Sequence, residues 1–112
     1  MTIFKKIIDK QIPAKFIYED ELCIAIHDVA PHAPVHILII PKKEIKSINE
    51  ASTDDQMLLG HLILVAKKIA HEQKIDESGY RLIFNTNADA GQTVFHLHLH
   101  LMGGKKLPAF SN

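Results

Sequence analysis

The spacing of apolar positions switches along the chain between helical and strand-like registers. Ile3, Phe4, Ile7 and Ile8 recur at helical spacing behind Thr2, whose hydroxyl can cap the first turn. They predict a short helix that stops before Pro13. Three β-rich runs follow: Phe16 to Tyr18, Leu22 to Ile26 closed by His27-Asp28, and Val35 to Ile40 between Pro34 and Pro41. One long helix is predicted over 53–73. Thr53 and Gln56 fit a capping box there, and Leu58, Leu59, Leu62, Val65, Ala66, Ile69 and Ala70 draw an apolar stripe. Gly79 marks a turn. Two last strands are predicted over Tyr80–Phe84 and about Val94–Met102, with the polar segment 85–92 between them.

The short gaps between the first three strands favour hairpins over crossovers. The expected fold is therefore α+β: a mainly antiparallel five-stranded sheet, one long and one short helix, and helices on one side. The 112 residues fit one domain over 1–112. With 46% hydrophobic residues the chain is globular rather than disordered.

Charge and cysteine counts narrow the function. Thirteen Lys and Arg balance thirteen Asp and Glu, so no general cationic field points to nucleic acid. The single Cys23 rules out an intrachain disulfide and a cysteine-built zinc site. No apolar run suits a signal peptide or a membrane span. The expectation is a soluble, cytoplasmic chain with no nucleic-acid or membrane partner.

Eight histidines are the compositional anomaly. Three of them alternate with leucines in His96-Leu97-His98-Leu99-His100-Leu101. On a strand this places the three imidazoles on one face, roughly 6–7 Å apart, with Phe95, Leu97, Leu99 and Leu101 on the other. A lone histidine on a strand is more often structural. Three in strict alternation inside an apolar run would be costly to bury for no return. Two chemistries remain open. One is a metal site using the three histidines, or two of them plus a carboxylate. The other is nucleophilic attack on phosphorus by one imidazole while the others stabilise charge. The residues upstream suit phosphate better. Gly91-Gln92-Thr93 offers amides for an anion nest and a hydroxyl beside it. Asp28 could accept two ribose hydroxyls, and Asn85 could serve the same ligand.

His96-Leu-His-Leu-His-Leu-Met102 resembles the alternating signature of the histidine triad (HIT) family. The resemblance covers nearly the whole chain. The segments 3–8, 12–15, 27–28, 33–42 and 90–95 are similar to its histidine triad nucleotide-binding branch. The resemblance implies a purine nucleoside phosphoramidase that works as a homodimer, without metal or other cofactor, on P–N bonds of AMP or GMP derivatives. It implies that His98 is the nucleophile, forming a nucleotidyl-histidine, and that the His96 carbonyl orients its ring. His100 then contacts phosphate oxygen and the leaving group, and His36 is an additional active-site histidine. Thr93 stands where the family usually has Ser. Gly91 and Gln92 match the phosphate loop, and Asp28 and Asn85 the ribose contacts. Ile3, Phe4, Ile7, Ile26 and Leu38 match or adjoin the slot for the base, although they read equally well as core.

The tail, from Lys106 onward, lacks the aromatic-Pro-Pro-Gly ending of close relatives; Phe110 is its only aromatic residue. Two other functions share this pattern: a non-catalytic nucleotide-binding module and a dinucleoside polyphosphate hydrolase. His27, His32, His61 and His71 match no catalytic position and read as structural or exposed. Cys23 reads as a small buried hydrophobe.

Overall fold

The computed structural model describes residues 1–110; Ser111 and Asn112, the end of the tail, lie outside them. Helix α1 spans Ile3–Ile8, and the Thr2 hydroxyl accepts the Lys5 amide at 3.1 Å. Strands β1 (Tyr18–Glu19), β2 (Cys23–His27) and β3 (Val35–Pro41) follow. After helix α2 (Gln56–Glu72) come β4 (Tyr80–Phe84) and β5 (Leu99–Gly103). The five strands form one antiparallel sheet in the order β1-β2-β3-β5-β4. The first strand begins later than its apolar run suggests, and Phe16 and Ile17 lie outside it.

The long helix is capped one residue earlier than expected. The Ser52 hydroxyl accepts the Asp54 amide, and the Asp55 carboxylate accepts the Ser52 amide at 3.0 Å. A charged acceptor outcompetes the amide of Gln56 for this role. Thr53–Asp55 forms a 3-10 turn, and α2 starts behind it.

The helices lie on opposite faces of the sheet, which corrects the expectation of one-sided packing. Leu62, Val65, Ala66, Ile69 and Ala70 of α2 pack with Cys23, Ala25, Ile37, Ile39, Leu99 and Leu101. Phe4, Ile7 and Ile8 of α1 pack with Ile24, Ile26, Leu38 and Ile40. The apolar runs in β2 and β3 are unbroken rather than alternating because both of their faces are covered. Cys23 is fully buried among them, and burial pushes its thiol pKa up to about 12.

The final strand is shorter than the histidine alternation implies. It begins at Leu99, paired with Ile39 of β3 and Phe84 of β4. Extending that register would set Leu97 opposite Pro41, which has no N–H to give the ladder. The chain bends at Val94–His96 instead, and the Leu97 amide donates to the Ile45 carbonyl at 2.7 Å. Phe95 is consequently 44% exposed rather than packed beneath the leucines.

Candidate active site

The α1-facing side of the sheet opens into a cleft of about 500 Å³, a size suited to a nucleotide-sized ligand. Ile3, Phe4 and Ile7 from α1, Ile26 from β2 and Leu38 from β3 line its apolar end. His36, His98, His100, Asp28 and Asn85 line the polar part, together with Gly91 and Thr93. Cross-strand register explains the assembly. His100 stands between Leu38 and Ile83, so it shares their face. His36 is two residues before Leu38 and points the same way. Asp28 follows the end of β2, where its amide donates to the His36 carbonyl at 2.9 Å.

As the alternation predicts, the triad rings keep to the α1 side, where His96 and His98 both meet Phe4 edge-on, while Leu97, Leu99 and Leu101 join the α2 core; the bend before β5 only sets His96 apart from the other two. His96 is buried and its Nε2–H donates to the Pro41 carbonyl at 2.7 Å. It sits behind the cleft and does not line it. The carbonyl left idle at the end of β3 is thus satisfied by the first triad ring. His96, His98 and His100 do not converge on one point, so a metal held by all three does not fit. Asp28, His36 and His100 do offer ligand atoms within 4.8 Å of one another. The two ring nitrogens involved share a hydrogen bond at 2.9 Å, and the Asp28 carboxylate lies 3.3 Å from His36 Nε2.

His98 is held from two sides. Its Nδ1–H donates to the His96 carbonyl at 2.8 Å, which leaves the lone pair on Nε2. The Phe4 ring meets it edge-on at 4.9 Å between centroids. Burial pushes the pKa of His36, His96 and His98 below that of an ordinary imidazole. That of His100 falls to about 4, first from burial and then from the charges of His98 and His36. The cleft therefore presents neutral imidazoles at neutral pH, and an unprotonated Nε2 is a competent nucleophile.

The loop before the bend is built differently from an open anion nest. The Gly91 amide donates to the Ala88 carbonyl and the Gln92 amide to the Asn87 carbonyl, so both are spent within the loop. Gly91 takes φ +85°, which closes the turn. Gln92 is buried and lies outside the cleft lining. Its Oε1 accepts the Asn87 amide at 2.8 Å, and its Nε2 donates to the Lys46 and Val94 carbonyls. Gln92 therefore staples the loop that presents Gly91 and Thr93.

Two histidines read as bystanders, His27 and His32, also line the cleft. His32 lies 5.8 Å from His36, ring to ring, and its amide donates to His36 Nδ1 at 3.0 Å. Their closeness to Asp28, His27 ending β2 just before it and His32 in the β2–β3 turn with it, was the available signal. His61 and His71 lie elsewhere, paired with Asp20 at 2.6 Å and Asp76 at 2.8 Å.

Comparison with known proteins agrees with this architecture. A HIT domain model matches residues 9–107. The chain is 50% identical over 106 residues to the purine nucleoside phosphoramidase of Escherichia coli, covering 95% of this chain and 89% of that one. It is 56% identical over 106 residues to an uncharacterised HIT-like protein of Synechococcus elongatus, covering 95% and 92%. A HIT family hydrolase from Legionella pneumophila superposes with a TM-score of 0.94 at 45% identity, covering 96% of each chain. One from Clostridium thermocellum gives 0.94 at 46%, covering 98% of this chain and 96% of that one. The sheet order, the cleft and these similarities agree, and the chain belongs to the HIT family.

Proposed function

We propose that this protein is a purine nucleoside phosphoramidase that cleaves the P–N or acyl-phosphate bond of AMP or GMP derivatives through His98. The observation that carries the reading is the His98 Nδ1–H bond to the His96 carbonyl, which leaves a lone pair on Nε2 in a nucleotide-sized cleft. Its family membership and the phosphoramidase relative support a nucleotide hydrolase.

In the proposed reaction Nε2 of His98 attacks phosphorus and the P–N bond breaks. The leaving nitrogen departs with the bonding pair and takes a proton from solvent at the cleft mouth, with the Thr93 hydroxyl as its hydrogen-bond partner. Water then attacks phosphorus, the Nε2–P bond breaks, and the nucleoside monophosphate leaves. His96 holds the ring of the nucleophile and His100 serves the phosphoryl oxygens, with His36 in contact behind it. Asp28 and Asn85 take the ribose. Ile3, Phe4, Ile7, Ile26 and Leu38 take the purine, and Gln92 keeps Gly91 and Thr93 in place. No metal enters these steps.

A homodimer fits the same reading. Strand β4 ends the sheet order. Beside it α2 exposes Met57 and Leu64, seven residues apart on one helix face, with Leu64 next to Tyr80. A second copy paired along β4 would cover both.

The test is a rate comparison of adenosine phosphoramidate with diadenosine polyphosphate, run in excess EDTA, for the wild type and His98→Gly. The phosphoramidate is expected to react far faster, with a nucleotidyl adduct on His98 trapped in a single turnover. The variant should bind AMP and lose nearly all turnover. Full activity in the variant, or AMP binding with no adduct, would overturn the reading. Preference for the dinucleotide would make the protein a polyphosphate hydrolase instead.

A further inference from the structure

A ring nitrogen can donate or accept, and only a neighbour of fixed polarity decides which. The backbone amide of His32 is such a neighbour, because it can only donate. It lies 3.0 Å from His36 Nδ1, so Nδ1 holds the lone pair. The one proton of a neutral His36 ring must then sit on Nε2. That nitrogen lies 2.9 Å from His100 Nδ1 and 3.3 Å from the Asp28 carboxylate. Two N–H groups cannot face each other at 2.9 Å, so His100 Nδ1 accepts and the His100 proton sits on Nε2. The Asn85 amide, 3.5 Å from that Nε2, is too distant to reverse the assignment.

We infer that His36 is a positioning residue: taking its polarity from the His32 amide, it locks His100 as the Nε2–H tautomer and so stands a neutral hydrogen-bond donor beside the nucleophile. The rings of His98 and His100 are 5.0 Å apart, within reach of one phosphoryl group. A donor at this place stabilises charge that grows on a phosphoryl oxygen, with no proton transferred. The same lock works against protonation of His100, since an imidazolium would set its Nδ1–H against the His36 N–H. Burial acts in the same direction.

The ring-proton half of this inference needs no substrate, while the catalytic half rests on the phosphoramidase reading. Ring ¹⁵N shifts of the full-length wild type should show an unprotonated Nδ1 and a protonated Nε2 on His100. Two near-isosteric variants then oppose each other. His36→Gln keeps an N–H donor facing His100 Nδ1, whereas His36→Glu offers only acceptors. The Gln variant should keep the wild-type ring pattern and lie within a few-fold of its kcat. The Glu variant should move a proton onto His100 Nδ1 and lower kcat by about 100-fold, the scale of losing one preorganised donor. A wild-type His100 protonated on Nδ1 overturns the lock, whether or not either variant folds. Identical ring shifts in the two variants also overturn it. Shifts that differ while turnover does not overturn the positioning role. Absence of turnover in the wild type, with the expected shifts, overturns the phosphoramidase reading and leaves the lock standing.

Discussion

Protonation of the cleft should cost the fold stability in a defined pH window, and His100 dominates the cost. Its pKa is about 4 in the folded chain against 6.5 for an unperturbed imidazole. The unfolded chain therefore binds the proton first, and stability falls as pH drops from about 6.5 to about 4. At 1.36 kcal/mol per unit the whole window is worth about 3 kcal/mol, and the part between pH 7 and pH 5 about 2 kcal/mol. The lowered pKa values of Glu19, Asp55 and Asp76 act at lower pH, where carboxylates titrate. His71 acts oppositely: Asp76 raises its pKa, so its contribution is present below pH 6.5 and lost as pH rises. The wild type and His100→Asn share all of these groups, so their difference isolates His100. Urea unfolding followed by circular dichroism at pH 7, 6 and 5 should show the wild type losing about 2 kcal/mol more than the variant. Parallel stability curves would refute the claim that burial holds this ring neutral.

Three further outcomes follow from packing. Phe4→Ala should cost about 3–5 kcal/mol of stability in chemical denaturation, and Phe4→Leu about 1 kcal/mol. Both should lower kcat/KM, because each removes the ring edge that braces His98. Gln92→Ala should cost about 2–3 kcal/mol and raise the KM for nucleotide, since three partly buried bonds that shape the loop are lost together. Leu64→Asp should convert a dimer to a monomer in sedimentation experiments with little loss of fold, because Leu64 is 63% exposed in the single chain. A wild type that sediments as a monomer would remove the dimer from the proposal.

Much of the fold was legible because local signals agreed with long-range ones. The capping hydroxyl of Thr2, the stripe from Leu62 to Ala70 and the run Tyr80–Phe84 each fall in the expected element. The two-sided packing was written in the unbroken runs of β2 and β3, but run length alone does not say which face each helix takes. The triad illustrates the opposite limit. Alternation placed His96, His98 and His100 on one strand, while the strand's true start depends on Pro41, more than fifty residues earlier. Only the antiparallel register brings that missing amide opposite Leu97. The role of Gln92 was hidden for a similar reason: two of its partners, Lys46 and Val94, are backbone carbonyls that no side-chain pattern reports. His32 was passed over because its contribution comes largely through its amide, which any residue but proline would supply.

The two covered faces of the sheet also divide the chain's tolerance for change. The α2 face is a closed apolar layer, and most substitutions there would be filtered by folding alone. The α1 face carries the cleft, where exposed positions such as Ile3, Val29 and Thr93 contribute little to the core. Substrate preference can thus drift through single substitutions on one side while the other preserves the scaffold. Phe4, Ile7, Ile26 and Leu38 are the exceptions, since they belong both to the α1 core and to the cleft wall. At these four positions a change of specificity and a change of stability are the same mutation.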